Sequence, residues 1–323
     1  MTSLHLLAAA CLLAVAGTTP LAAQEALTAP GPEGPLAGTL TRPGADAPVV
    51  LILPGSGPTD RDGNNPLGVA AAPYRLLAEA LASRGIGTLR IDKRGMFASR
   101  PAASDPFAVT IADYVADTRA WIAAARAATG RDCIWLLGHS EGGVVALAAA
   151  QEAGGICGVV LVAAPGRTFG TILREQLRAN PANAFLLDEA FAAIDQLEAC
   201  ERVDTEGMNP ALLPLFGPRV QPFVIDLMRY DPPALAAQVS LPLLIVQGEK
   251  DLQIGLADAE ALKAAQPDAE YARLPAMNHV LKDVEGTTPQ ANLAAYGDPS
   301  LPVSPALVEA LAGFVGPATE DGL

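Results

Sequence analysis

Charge is scarce in this chain. Only 17% of its 323 residues are charged, and basic residues are outnumbered 21 to 35, leaving a formal net charge of −14. There is no basic run of the kind that grips nucleic acid, and an acidic surface repels phosphate backbones and anionic headgroups. Nucleic-acid partners are therefore excluded, and so is a membrane surface once any leader is removed. Aromatic residues are also few, at 5%. Hydrophobic residues nevertheless make up 50%, so Ala, Val and Leu supply a core large enough for a sizeable domain. Disordered chains combine low hydrophobicity with high charge, the opposite of this composition.

The first 23 residues lack Asp, Glu, Lys and Arg altogether. Leu4 to Gly17 form an apolar run, followed by small residues up to Ala23, which is the layout of a secretory signal. The run is short for a membrane-spanning helix. The expected mature protein is exported, to the periplasm or beyond. Of the four cysteines, Cys11 would leave with the signal, and Cys133, Cys157 and Cys200 would remain. No Cys-x-x-Cys pair exists, which removes the usual zinc and redox readings. Cys133 and Cys157 open two strands expected to be neighbours. They are either a disulfide of an oxidising compartment or two buried free thiols, since adjacent strands often set Cβ atoms at a poor angle for bridging. Cys200 is then a lone thiol.

The periodicities alternate. Residues 24–35, rich in Pro, Gly and Ala, read as a leader. Strands are expected at 36–41, 49–53, 87–91, 133–137, 159–163, 243–246 and 271–274. Between them, Tyr74, Leu77, Ala78 and Leu81 mark one helix, Ile111, Val115, Thr118 and Ile122 a second, and Val144 to Ala150 a third. This order implies a mostly parallel sheet with helices on both faces. Residues 167–239 interrupt it with purely helical spacing. The expected organisation is a signal at 1–23, a first core segment at 24–166, an inserted helical cap at 167–239, and a second core segment at 240–323. Phe191 and Phe223 of the cap are candidates for lining a pocket.

Gly138-His139-Ser140-Glu141-Gly142 lies between an expected strand and an expected helix, the context required of a nucleophile elbow. A sharp turn there exposes the Ser140 hydroxyl and aims the Glu141 amide at a developing oxyanion. A serine hydroxyl needs a base. Of the three histidines, His5 sits in the signal and His139 in the elbow, which leaves His279. Asp251, after the strand at 243–246, is the carboxylate that would fix its tautomer; Glu249 is the runner-up, and Asp283 is out of order. The loop Pro54-Gly55-Ser56-Gly57-Pro58 would add a second oxyanion donor, the Ser56 amide or alternatively that of Gly57. Asp60-Arg61-Asp62-Gly63-Asn64 does not match a calcium loop, because its glycine comes too early and Ala71 stands where a glutamate is required. Internal pairing of Asp60, Arg61 and Asp62 would instead shape the oxyanion loop, and Asp92-Lys93-Arg94-Gly95 reads as similarly structural.

The elbow, the order Ser140, Asp251, His279 and the Gly-rich loop resemble the α/β-hydrolase superfamily. Within it, Pro-Gly-Ser-Gly-Pro-x-Asp-Arg-Asp-Gly and Gly-His-Ser-Glu-Gly-Gly are similar to bacterial carboxylesterases of dienelactone-hydrolase-like or serine-aminopeptidase-like type. The resemblance covers roughly residues 36–166 and 240–315, with Pro54 where many relatives carry histidine. It implies a serine hydrolase that cleaves a small-molecule carboxylic ester through an acyl-enzyme and needs no cofactor or metal. Thioesters or aminoacyl amides are the alternative substrates on the same triad, and a non-catalytic binder is a third reading. An aminopeptidase would need an acidic patch, for which Asp188, Glu189 and Asp195 are the candidates. Oligomeric state is not legible.

Overall fold

A computed structural model describes residues 22–286 and 288–316. The signal-like segment, save Ala22 and Ala23, lies outside them, as does His5. Eight strands form one sheet: β1 (Ala23–Ala29), β2 (Leu36–Arg42), β3 (Val49–Leu53), β4 (Gly87–Ile91), β5 (Ile134–His139), β6 (Ile156–Val162), β7 (Leu243–Gly248) and β8 (Glu270–Leu274). Their order is β1-β2-β4-β3-β5-β6-β7-β8, with β1 and β2 antiparallel and every pairing from β4 onward parallel. The helices are α1 (Pro73–Ala82), α2 (Ile111–Thr129), α3 (Glu141–Ala149), α4 (Phe169–Ala179), α5 (Leu187–Glu198), α6 (Leu213–Phe216), α7 (Gln221–Met228), α8 (Pro232–Ala236), α9 (Leu256–Ala265), α10 (Pro289–Ala294) and α11 (Pro305–Val315).

Side chains alternate across each strand, so one β-run feeds two cores. Leu51, Leu136, Val159 and Ile245 face α2, α3 and α9 in one layer; Val50, Leu137, Val160 and Leu244 face α1 and α11 in the other. Burial on both faces explains why these strands read as continuous apolar runs. Helix α2 starts at a capping box, with the Thr110 side chain accepting from the Asp113 amide, and stops at Gly130 in a left-handed conformation. Between β6 and β7 the chain is helical. Leu173, Ile194, Leu197, Phe216 and Met228 make a separate small core there. Helix α8 packs instead on α3 and α9.

Several expectations change, and the strand expected at 159–163 is β6, Ile156–Val162. Residues 23–29 are not part of a leader but an edge strand, paired along its whole length with β2. Its side chains are mostly exposed, so no apolar alternation announces it; its attachment comes from backbone hydrogen bonds. The strand expected from Cys133 begins at Ile134, and α9, α10 and α11 have no counterpart in the sequence reading.

Cys133 and Cys157 are joined in a disulfide, with Cα atoms 5.1 Å apart. The geometric objection to a bridge between adjacent strands is met by an irregularity. Ile134 pairs with Ile156 but Trp135 with Gly158, so Cys157 is an extra residue in β6, and a bulge of this kind re-aims a side chain. Cys200 is free and exposed. A chain beginning after residue 23 is expected to show one thiol when titrated denatured and unreduced. Reduction should lower stability by roughly 3 kcal/mol from loop entropy alone, measured by urea unfolding with and without reductant.

Candidate active site

The candidate residues gather where the parallel strands end, the usual place for ligands in such sheets. Ser140 follows β5 directly, with φ 53° and ψ −126°, a strained conformation for a residue with a side chain. Its amide donates to the Val162 carbonyl at 3.1 Å, and its own carbonyl accepts from Gly143 at 2.8 Å. The turn is possible because two flanking positions lack a β-carbon. A Cβ at Gly138 would lie 2.3 Å from the Gly142 carbonyl oxygen, and one at Gly142 would lie 2.2 Å from that of Leu53.

Asp251 and His279 come together as expected. His279 Nδ1 donates to Asp251 Oδ2 at 2.8 Å, and both side chains are buried. The other carboxylate oxygen accepts the amides of Gln253 and Ile254 at 2.7 and 3.0 Å, so the carboxylate cannot swing away. With Nδ1 donating, Nε2 is the acceptor, the tautomer a general base requires. The His279 loop is clamped by Asn278, whose amide donates to Lys282 O at 2.9 Å and whose side chain accepts from the Lys282 amide at 3.1 Å. Glu249 faces outward and accepts from Arg273 at 2.6 Å, and Asp283 pairs only through its backbone with Met277. Ser140 and His279 line a common cleft, although no hydrogen bond joins them among the described residues. Such contacts are often long before substrate binds.

Ser56 and Glu141 stand beside Ser140 in a second, apolar cleft of about 210 Å³. Among the described residues neither backbone amide is taken by another group. The loop around Ser56 is held both by its own hydrogen bonds and by ties to β4 and the residue that follows it. Arg61 bonds Asp92 at 2.5 Å, Asp62 pairs with Arg90, and Asp60 acts locally, accepting from the Asp62 and Asn64 amides. The acidic patch proposed for an amine does not form. Asp195 pairs with Arg174, Glu189 accepts from the Asn209 amide at 3.1 Å, and neither they nor Asp188 line either cleft. Phe191 lies under Arg178 and Phe223 against Tyr114. The apolar cleft is lined by Phe169, Ile172, Leu173, Leu215 and Leu227 instead.

The comparisons bear on the fold. Residues 67–187 match the family model described as "Serine aminopeptidase, S33", a span that includes Ser140 but neither Asp251 nor His279. Esterase EstD of Thermotoga maritima is 25% identical over 255 residues, covering 77% of this chain. The chain spans 58% of that relative's length. An esterase of Pyrococcus furiosus superposes with a TM-score of 0.54 at 17% identity, covering 81% of this chain and 85% of that one. Dienelactone hydrolase from Anabaena variabilis gives a TM-score of 0.52 at 16% identity, covering 91% and 99%. The chain has the α/β-hydrolase fold.

Three further residues tie the loops of this fold together. Tyr74 OH accepts from the Gly55 amide at 3.1 Å and donates to His139 Nδ1 at 2.7 Å, while His139 Nε2 donates to the His279 carbonyl at 2.9 Å. A carbonyl can only accept, so the direction of this chain is fixed, and it links the oxyanion loop, the elbow and the histidine loop. Lys93 Nζ donates to Gly55 O at 2.8 Å and to Glu141 Oε1 at 3.2 Å, both within the core. The sequence marked Lys93 only as structural and took Tyr74 for core packing; nothing in spacing announces either contact.

Two predictions follow from these contacts. Breaking a buried ion pair from one side strands a charge. Lys93→Met is expected to lose about 3–5 kcal/mol of stability, and adding Glu141→Gln should recover most of it; urea unfolding of both singles and the double measures the coupling. Burial, aided by the neighbouring His279, pushes the His139 pKa down to about 3. The folded state therefore binds fewer protons than the unfolded state between the ordinary histidine value of about 6.5 and 3, and stability falls as pH drops through that window. The slope from His139 approaches about 1.4 kcal/mol per pH unit. Imidazole NMR should show one ring neutral down to pH ~4.

Proposed function

We propose that the protein is an exported carboxylesterase that works through an acyl-enzyme on Ser140. The observation that carries this reading is a serine in a strained strand-to-helix turn sharing a cleft with a histidine whose tautomer a buried carboxylate fixes. His279 Nε2 takes the Ser140 proton as Oγ attacks the ester carbonyl. The Ser56 and Glu141 amides stabilise the oxyanion, each worth about 3–4 kcal/mol. The imidazolium then protonates the departing alcohol, and His279 next activates the water that releases the acid. The residues supply every proton and charge the cycle needs. The helices between β6 and β7 act as a cap whose apolar lining receives the acyl chain. Export is supported by the signal-like residues 1–23 and by a disulfide that persists in an oxidising compartment.

The aminopeptidase reading has the matched family description in its favour, but an ammonium needs an unengaged carboxylate. Among the described residues, the acid side chains lining the apolar and histidine-bearing clefts come to Glu141 alone, and it is paired with Lys93. Esters are therefore preferred over aminoacyl amides. Ser140→Ala is expected to lower kcat roughly 10⁶-fold with folding intact, and a fluorophosphonate should label the unmodified protein at Ser140 only. Ester turnover by the Ser140→Ala protein within tenfold of the parent, or no label on a folded parent, would overturn the assignment.

A further inference from the structure

Ser140 stands between two clefts of opposite character. One, under the cap, includes Ser140 with both oxyanion amides but not His279. The other, of about 130 Å³, includes Ser140, His279 and the outer side of the oxyanion loop. If Ser140 is the nucleophile, as proposed above, the two halves of an ester are thereby assigned. The leaving oxygen must take its proton from His279 Nε2, so the alcohol half occupies the cleft that His279 lines, and the acyl half the apolar one.

The alcohol cleft has a distinctive chemistry. Among the described residues, no Asp, Glu, Lys or Arg lines it. An anionic or cationic alcohol would therefore lack a counter-charge. Its walls carry neutral hydrogen-bonding groups: the exposed Ser56 hydroxyl, Asn65, Gln253 and Tyr296. Gln253 Nε2 donates to Tyr296 OH at 3.1 Å, which leaves the phenol proton and the Gln253 side-chain oxygen Oε1 unengaged among the described residues. Burial holds the Tyr296 pKa up at about 12, so the phenol remains a donor throughout the working range. Tyr296 is fixed in place, its carbonyl accepting from the Ala70 amide at 2.8 Å. A cleft of about 130 Å³ has room for a small alcohol.

We infer that the alcohol half of the substrate is a small, uncharged polyol whose second hydroxyl is held by Tyr296 and Gln253. This inference rests on the esterase reading, and the test separates the two. The probes are 2-hydroxyethyl butyrate and propyl butyrate, which differ by a hydroxyl in place of a methyl. Both give the same butyryl-enzyme, so the ratio of their kcat/KM values reports acylation alone once each is divided by its rate of alkaline hydrolysis. The hydroxyethyl ester is expected to be favoured about tenfold, and Tyr296→Phe with Gln253→Leu should bring the ratio near one. Propyl butyrate serves as internal reference within each variant, and Tyr296→Phe alone, which removes one oxygen atom, should lower the ratio by itself. p-Nitrophenyl butyrate hydrolysis without preference for the hydroxyethyl ester, or a preference unchanged in both variants, overturns the polyol inference alone. Failure on all three esters by folded protein overturns the esterase reading as well.

Discussion

The closeness of the first turn of α3 to the end of β3 is the constraint from which the site follows. At Gly142 the backbone sits so near the Leu53 and Pro54 carbonyls that a β-carbon would lie 2.2 and 2.9 Å from their oxygens. That approach places the Glu141 amide, at a helix N-terminus, beside the loop that carries Ser56, with Ser140 between them. It also forces Ser140 to φ 53°. A relaxed turn would need space that β3 occupies. The strain is sustained by the β5 and β6 hydrogen bonds on either side, including the one from Ser140 N to Val162 O.

Close approach sets positions but not orientations. Those come from buried polar contacts that cross between loops. Lys93 draws the Gly55 carbonyl inward, which turns the following Ser56 amide toward the cleft. The chain from Gly55 through Tyr74 and His139 to the His279 backbone ties the loop of Ser56 to the loop of His279. Donors fixed before the reaction need no reorganisation as charge develops, which is the main source of electrostatic catalysis. Each of these groups is costly to bury unpaired, so the network is cooperative.

The parts legible in the sequence were those carried by local rules. The strands at 49–53 and 87–91 and the helix from Ile111 are bounded by apolar runs, glycines and caps within a few residues. Ser140, Asp251 and His279 were legible because the elbow pentapeptide restricts its flanks and because histidines are so few. What escaped depends on distant partners. Strand β1 has no apolar face, and its existence is decided by β2. The roles of Lys93 and Tyr74 are set by residues 38 and 65 positions away. The disulfide turns on one bulged residue in β6, invisible to strand periodicity. Phe191 and Phe223 had the right spacing for a pocket, but helical spacing selects a buried face without saying which cavity it meets.

The scarcity of charge noted at the level of composition has a structural counterpart. The buried cations act as braces. Arg90 holds Asp62, Lys93 holds Glu141, and Arg94 binds Asp113 and Asp117. Lys282 donates to the Asp298 and Leu301 carbonyls, and burial pushes its pKa down. Arg167, at the rim of the apolar cleft, has Asp258 and Glu175 on its guanidinium. Each brace joins segments separated by loops, so ionic interactions hold the scaffold while the surfaces facing Ser140 stay nearly neutral. In the proposed reaction, a neutral, partly apolar surround would let two backbone amides dominate the field at the carbonyl under attack, because a nearby unpaired cation would stabilise ground-state anions as readily as the oxyanion. Buried cations, each matched by an acceptor, are thus compatible with the proposed catalysis by dipoles and one imidazole.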